Sequence, residues 1–316
     1  IEKKWVTKKL LPNGDMAPGQ SFIINLRRDK FKDTRVRKAI GLMFNFEWSN
    51  KTLFYDLYAR INSFWENSDM SAEGKPSKAE MNILQSVESI LPDNVIDSEV
   101  AQVSLSSTKQ LDRKNLRMAS KLLDEAGWEV SSDGLRKNSN GETLDVEILN
   151  DSQAFTRIIE PFIQNLISLG VNAKHTKIDN AQMTERERSF DFDIVTGNFP
   201  MSFTPGSGLK QYFGSETADV SIFNKAGIKS DVIDKLIEVV MSAKTRQELK
   251  ISVRALDRVL RSYYFWIPQW YKNVHTVAYY DFYEHPENLP PYDMGLLDFW
   301  WMNEKKFSDL KEKGAF

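Results

Sequence analysis

The sequence predicts an α/β fold with a mixed sheet. Capped segments of helical period alternate along the chain with short β-rich runs. Apolar residues make up 41% of 316 residues and charged residues 27%, enough for a sizeable buried core. No apolar run approaches the roughly 18–20 residues of a membrane-spanning helix. The length suits about two domains, or one large α/β domain.

The elements follow in order. Residues 21–26 read as a strand. Asp33 can cap a helix in which Val36, Ala39, Ile40, Met43 and Phe46 keep a 3.6-residue period. Ser77 and Glu80 form a capping box before Met81, Leu84, Val87 and Leu91, and Pro92 stops that helix. Asp112 can cap a helix through Leu116, Ala119, Leu122, Leu123 and Ala126, with Gly127 as its left-handed stop. Ser139-Asn140-Gly141 is a turn signal, and residues 144–149 alternate after it, so a hairpin with 134–137 is expected. Residues 155–169 are periodic and end at Gly170, but Pro161 predicts a kink or a start near it. Residues 171–178, 190–195 and 264–267 read as strands, the last followed by Pro268. Thr245 and Glu248 form a second capping box before Leu249, Val253, Leu256 and Leu260. Residues 304–313 form a charged surface helix. Stretches 94–108, 197–214 and 284–293 are the least regular, and no internal repeat is visible.

Charge and composition exclude several functions. Lys plus Arg is 42 against 44 acids, a net charge of -2, so a dedicated nucleic-acid binder is ruled out on bulk charge. Cysteine is absent, which removes disulfides and thiolate chemistry. His175, His275 and His285 have no partner at metal-ligand spacing, so neither metal nor cofactor is expected. There is no Gly-x-Ser-x-Gly elbow. The Gly206-Ser207-Gly208-Leu209-Lys210 segment lacks phosphate-loop spacing and reads as a plain loop. Asp191 and Asp193 flank Phe192 at strand period, on one face; they read as a polar strand face or, alternatively, as a general acid/base pair.

The aromatic residues, 12% of the chain with eight Trp and ten Tyr, hint at a ring-lined ligand surface. Tyr263-Tyr264-Phe265-Trp266 and Trp270-Tyr271 bracket Ile267-Pro268. These rings fill a core or face a ligand. Residues 196–205 read as a strand end entering a loop of small, polar and aromatic residues, a frequent ligand site in α/β folds.

At Phe31-Lys32-Asp33-Thr34-Arg35-Val36-Arg37-Lys38-Ala39 the pattern resembles the family 5 extracellular solute-binding proteins, the oligopeptide- and dipeptide-binding subunits of ABC importers. Three stretches agree in the family's order. Phe190-Asp191-Phe192-Asp193 leading to Gly197 and Pro205 resembles its cleft strand and loop. Asp234-Lys235-Leu236-Ile237 before Arg246 resembles a helix pair. Ile267-Pro268-Gln269-Trp270-Tyr271 resembles the strand that returns between lobes. Leu42-Met43-Phe44-Asn45-Phe46-Glu47-Trp48 with Ala59-Arg60-Ile61-Asn62-Ser63-Phe64-Trp65 resembles the Yej-type branch, associated with import of microcin C and of oligopeptides, including peptidoglycan-derived ones.

The resemblance implies a periplasmic-binding-protein-like lobe (type II, cluster C) with a partial second lobe. Residues 1–20 would return from lobe I, 21–269 would form lobe II, and 270–316 would re-enter lobe I. It implies binding without catalysis, delivery of an oligopeptide or modified peptide to permease subunits, and a periplasmic location. The contacts it suggests are Arg186, Arg188, Asn198, Phe199, Ser202, Trp270 and Tyr271. Arg186 and Arg188, beside Glu185 and Glu187, read equally as a solvated helix end. Two departures stand out. The family's amine-binding Asp has Met201 at its place, with no acid from 198 to 204, so a modified peptide or an amine held from elsewhere is expected. The motifs match the family's second half, and the start lacks both an initiating Met and a signal peptide, so an upstream half is expected. Trp5, Tyr279, Phe282, Trp300 and Trp301 would then lack partners. The alternatives are a glycan or peptide hydrolase using Asp191 and Asp193, and a non-peptide ligand in the same fold.

Overall fold

The computed structural model describes residues 5–93 and 95–316. Residues 1–4 and Asn94 open the 1–20 and 94–108 stretches, and both lie outside the described residues. The strands are β1 (Val6–Pro12), β2 (Ser21–Ile24), β3 (Ala59–Arg60), β4 (Glu129–Val130), β5 (Arg136–Lys137), β6 (Asp145–Asn150), β7 (Asn172–Lys177), β8 (Ile194–Gly197), β9 (Trp266–Pro268), β10 (Trp270–Tyr271), β11 (Val274–Tyr280), β12 (Tyr283–Glu284) and β13 (Trp301–Met302). The helices are α1 (Thr34–Leu42), α2 (Phe46–Leu53), α3 (Lys78–Gln85), α4 (Arg113–Glu125), α5 (Gln153–Ser168), α6 (Asn180–Arg188), α7 (Gly208–Phe213), α8 (Asp231–Ser242), α9 (Arg246–Ser262) and α10 (Glu304–Glu312).

A five-stranded sheet of order β7-β6-β8-β2-β9 organises the chain. β6 runs parallel to β7 and β8, while β2 is antiparallel to β8 and β9. All four residues of β2 are buried, as expected for a strand covered on both faces. Phe22 and Ile24 face α1, α2, α4 and α5, with Ile148, Ile194 and Ile267. Ile23 faces α7, α8 and α9, with Leu149, Val195 and Trp266.

The helix starts read from capping residues form. Asp33 accepts from Arg35 N, Ser77 and Glu80 close a reciprocal box, and Asp112 accepts from Lys114 N and Asn115 N. Thr245 accepts from Glu248 N, but Glu248 answers Lys244 N (2.8 Å) rather than the cap residue.

Several expectations are corrected. The first helix stops at Leu42. Asn45 then caps α2 by accepting from Trp48 N (2.8 Å), so Phe46 opens a new helix. The third ends at Gln85, well before Pro92. α5 starts at Gln153 and runs through Pro161; burial of Ile158, Ile159, Phe162 and Ile163 against the sheet offsets the lost hydrogen bond. The turn at 138–142 closes a short hairpin, with Leu144 N on Arg136 O (2.9 Å) and a Lys137–Thr143 bridge, while β5 takes its strand pairing from β4. Residues 208–213 are helical, not loop. The strand expected over 190–195 starts at Ile194, because Phe190 takes φ +54° and breaks the run.

The terminal segments pair with each other. β1 and β11 form an antiparallel ribbon from Val6↔Tyr280 to Pro12↔Val274. Phe282 is buried among Tyr280, Tyr283, Phe307 and Phe316, and Tyr279 meets Trp300 edge-on at 4.8 Å. These rings therefore have partners within the chain, contrary to expectation. Trp301, Leu297 and Phe299 stay exposed.

Candidate functional site

The β2–β8–β9 register puts Ser21, Gly197 and Pro268 together along one strand-end edge of the sheet. The loop 198–205 leaves from that edge, as do the two chain crossings between the sheet and the β1–β11 ribbon, residues 13–20 and 269–273. Gly19 has φ +63°, and a Cβ there would come within 2.5 Å of Phe199 O. Only glycine lets the first crossing lie so close to the loop. Gln20 and Gln269 tie the crossings together, Nε2 to Oε1 at 2.7 Å.

Beside the first crossing lies a cavity of about 510 Å³ lined by Glu66, Asp69, Glu73, Phe203, Arg246 and Tyr292, among others. The turn that carries its acids is anchored twice. Asn67, at φ +64°, donates to Asn13 O (3.0 Å) and Asp15 O (2.7 Å) of the first crossing. Asp257 of α9 holds the same segment from behind, accepting from Phe64 N and Ala72 N at 3.0 Å each. Arg246 donates to Phe203 O and pairs with Asp69 at 3.0 Å, so it joins loop and turn. Phe203 and Tyr292 are 5.1 Å apart. Glu66 accepts from Asn62 N (2.8 Å), and burial pushes its carboxyl above the usual range. Burial, and then Glu66, raises the Tyr271 phenol. The cavity combines carboxylates with two rings, a setting suited to a cationic group carried on an apolar or peptidic chain.

The structure divides the residues expected to bind. Asn198 and Ser202 are exposed on the loop, where Ser202 Oγ accepts from Thr204 N (3.0 Å). Tyr271 is half-buried at the second crossing. Phe199 is 1% exposed, packed on Phe64, Phe213 and Phe265, so its ring serves the core. Trp270 is 8% exposed among Phe46, Phe54, Tyr58 and Phe155. Arg186 and Arg188 end α6, at the start of β8 rather than at its loop. The intervening four-residue strand spans roughly 13 Å. Arg186 binds Glu147 at 2.6 Å, and Arg188 faces Glu185 at 3.4 Å.

Asp191 and Asp193 also lie at that far end and share no strand face, since β8 starts after them. Asp191 meets Arg28 at 2.8 Å; Asp193 meets Lys30 at 2.7 Å and accepts from Glu147 N at 3.0 Å. Both are engaged as ion-pair and strand-end partners. Among the described residues no group of three or more His, Asp or Glu side chains could hold a metal ion.

The fold agrees with the comparisons. A model of the bacterial extracellular solute-binding proteins, family 5 (Middle), matches residues 5–220. The chain belongs to that family. It is 39% identical over 305 residues to "Probable peptide-binding protein YejA" of Agrobacterium fabrum, covering 95% of this chain and 49% of the relative. It is 34% identical over 311 residues to "Uncharacterized protein YejA" of Escherichia coli K12, covering 98% and 51%. The chain thus spans about half the length of the curated relatives it matches. The oligopeptide-binding protein AppA of Bacillus subtilis, solved with a nonapeptide, superposes with a TM-score of 0.64 at 17% identity, covering 94% of this chain and 52% of that one. This establishes the family 5 solute-binding fold, of the Yej type.

Glu66, Asp69, Phe203, Arg246 and Tyr292 escaped the sequence reading as cavity residues. One signal was available: Glu66-Asn67-Ser68-Asp69 follows a buried Phe64-Trp65 pair, and such polar clusters make turns.

Proposed function

We propose that this chain is the ligand-binding half of the substrate-binding component of an ABC importer. It takes an oligopeptide or modified peptide at the loop-and-crossing edge for delivery to a permease from the periplasmic side. Family membership supports the reading. The observation that carries it is the cavity where the 198–205 loop, the first crossing at Gly14 and the acidic 66–73 turn converge. Backbone in the loop offers pairing to an extended peptide. The family's loop acid is absent here, and Glu66 supplies the carboxylate for a peptide amine from the facing turn. Hinged closure would complete the site with walls contributed upstream.

Glu66→Gln should weaken a free-amine tripeptide on the order of tenfold in titration calorimetry and leave its N-acetylated form unchanged. Wild-type affinity should fall on acidification. Protonating Glu66 removes the anion, and because its carboxyl is raised the fall begins above the pH of an ordinary glutamate. Equal loss for both peptides would remove Glu66 from this role.

A chain extended upstream to the length of its relatives should bind the same peptide at least tenfold more tightly than residues 1–316 alone, since the second set of cleft walls is then present. Equal affinities would overturn the two-lobe reading. Turnover of peptide, murein fragment or oligosaccharide would replace the binding role with catalysis.

A further inference from the structure

One wall of the cavity beside the first crossing comes from the C-terminal part of the chain. Tyr292 and Phe203 both line it, with their rings 5.1 Å apart and tilted by 58°. Tyr292 belongs to the irregular stretch 286–293, which follows β12 and leads to Gly295. Pro286, Pro290 and Pro291 fix φ at three of its positions and stiffen it. Both ends of the stretch are pinned. Before it, Lys9 Nζ donates to His285 Nε2 (3.2 Å), and the His285 ring lies 4.4 Å from that of Trp300. After it, Trp300 Nε1 donates to Met294 O (2.8 Å), and Gly295 takes φ +59° against Phe299.

The middle is held lightly. Beyond the Asp293–Gly295 turn, residues 287–293 make one hydrogen bond among the described residues, from Gly14 N to Pro291 O (2.8 Å), and one ring contact, Tyr292 on Phe203. Tyr292 is 58% exposed. A stretch with so few contacts opens at low cost. Its seat is firmer. Asn67 holds Asn13 O and Asp15 O, Asn13 N donates to Asn273 O (3.1 Å), and Asn13 Nδ2 donates to Lys272 O (3.1 Å). Gly14 needs no left-handed φ. What excludes a side chain there is Pro291, whose carbonyl oxygen would stand 2.1 Å from a Cβ. A methyl group at Gly14 therefore displaces the strap rather than the crossing.

We propose that residues 286–293 are a gate on this cavity, latched where Tyr292 meets Phe203 and where Pro291 meets Gly14. The gate lifts to admit the amine end of a peptide to Glu66 and closes behind it. It moves as a stiff strap between its two pinned ends, apart from any hinging of whole lobes. The proposal rests on the cavity's role as a peptide site.

The probe is trialanine with a free amine and a fluorophore at its C-terminus. Gly14→Ala and Tyr292→Ala each break one latch and leave Glu66 in place. A gate limits traffic in both directions, so each variant should speed association as well as dissociation on the order of tenfold in stopped-flow measurements. Loss of a ligand contact alone would speed dissociation only. The chain has no cysteine, so Phe203→Cys with Tyr292→Cys puts the only two thiols at the latch. A short bismaleimide across them should slow both rates on the order of tenfold against the same variant capped with a monomaleimide. It should also slow hydrogen exchange of the Gly14 amide, whose bond to Pro291 O breaks when the gate lifts. That readout needs no ligand. Gly14 exchange equally fast in bridged and capped chains, or association rates that neither single variant changes, would overturn the gate. Trialanine binding wild type and Glu66→Gln alike, with Gly14 exchange still slowed by the bridge, would overturn the cleft reading and keep the gate.

Discussion

Replacing Asp257 with alanine should cost about 3–5 kcal/mol of folding stability. The side chain is fully buried. One oxygen accepts from Phe64 N at 3.0 Å; the other accepts from Ser63 Oγ and Ala72 N, each at 3.0 Å, and pairs with Arg261 at 3.3 Å. Alanine would strand two backbone donors and leave the buried guanidinium of Arg261 without its countercharge. An asparagine side chain would keep an acceptor but lose the charge, so the loss for Asp257→Asn should be smaller than for Asp257→Ala. The anchored segment is the one that presents Glu66 and Asp69, so free-amine peptide affinity should drop in the fraction that still folds. Urea titration with far-UV dichroism measures the stability. A loss below about 1 kcal/mol would show that α9 does not hold the 63–72 segment in place.

The same residues show what a sequence discloses. Helix starts were legible at Asp33, Ser77 and Asp112 because a cap is a bond to backbone two or three residues away. The core faces of the helices were legible for the same local reason. The β8 boundary was not, because Phe190 leaves extended geometry under Arg27, whose guanidinium stacks 3.8 Å above its ring. That contact joins distant parts of the chain. The 196–205 loop was legible as a strand end running into small, polar and aromatic residues, but the facing wall of the cavity was not. Arg246 and Asp69, which hold that wall, are 177 residues apart, and no periodic pattern links them. Rings presented the remaining ambiguity. A strand that alternates aromatic and apolar residues looks alike whether its rings meet a ligand or a helix layer, and here helices cover both faces of the sheet.

Phe199 decides that ambiguity by experiment. It lies two residues beyond β8, and a ligand-stacking role predicts that Phe199→Ala weakens binding while the fold survives. The structure leads to the opposite result. The ring is 1% exposed and lies 5.3 Å from Phe64 and from Phe213, 6.0 Å from Phe265 and 6.5 Å from Trp266. Truncation removes those contacts and opens a cavity that the surrounding rings cannot close, at a cost of about 3–5 kcal/mol. Its backbone also meets Gly19, so part of the strain should pass to the first crossing. The expected outcome is an earlier cooperative unfolding transition, with peptide affinity unchanged in protein that remains native. Asn198→Ala, on the exposed residue next to it, should show the reverse: an unchanged transition and weaker binding. Unchanged stability for Phe199→Ala together with a tenfold loss of affinity would place the ring in the ligand site after all.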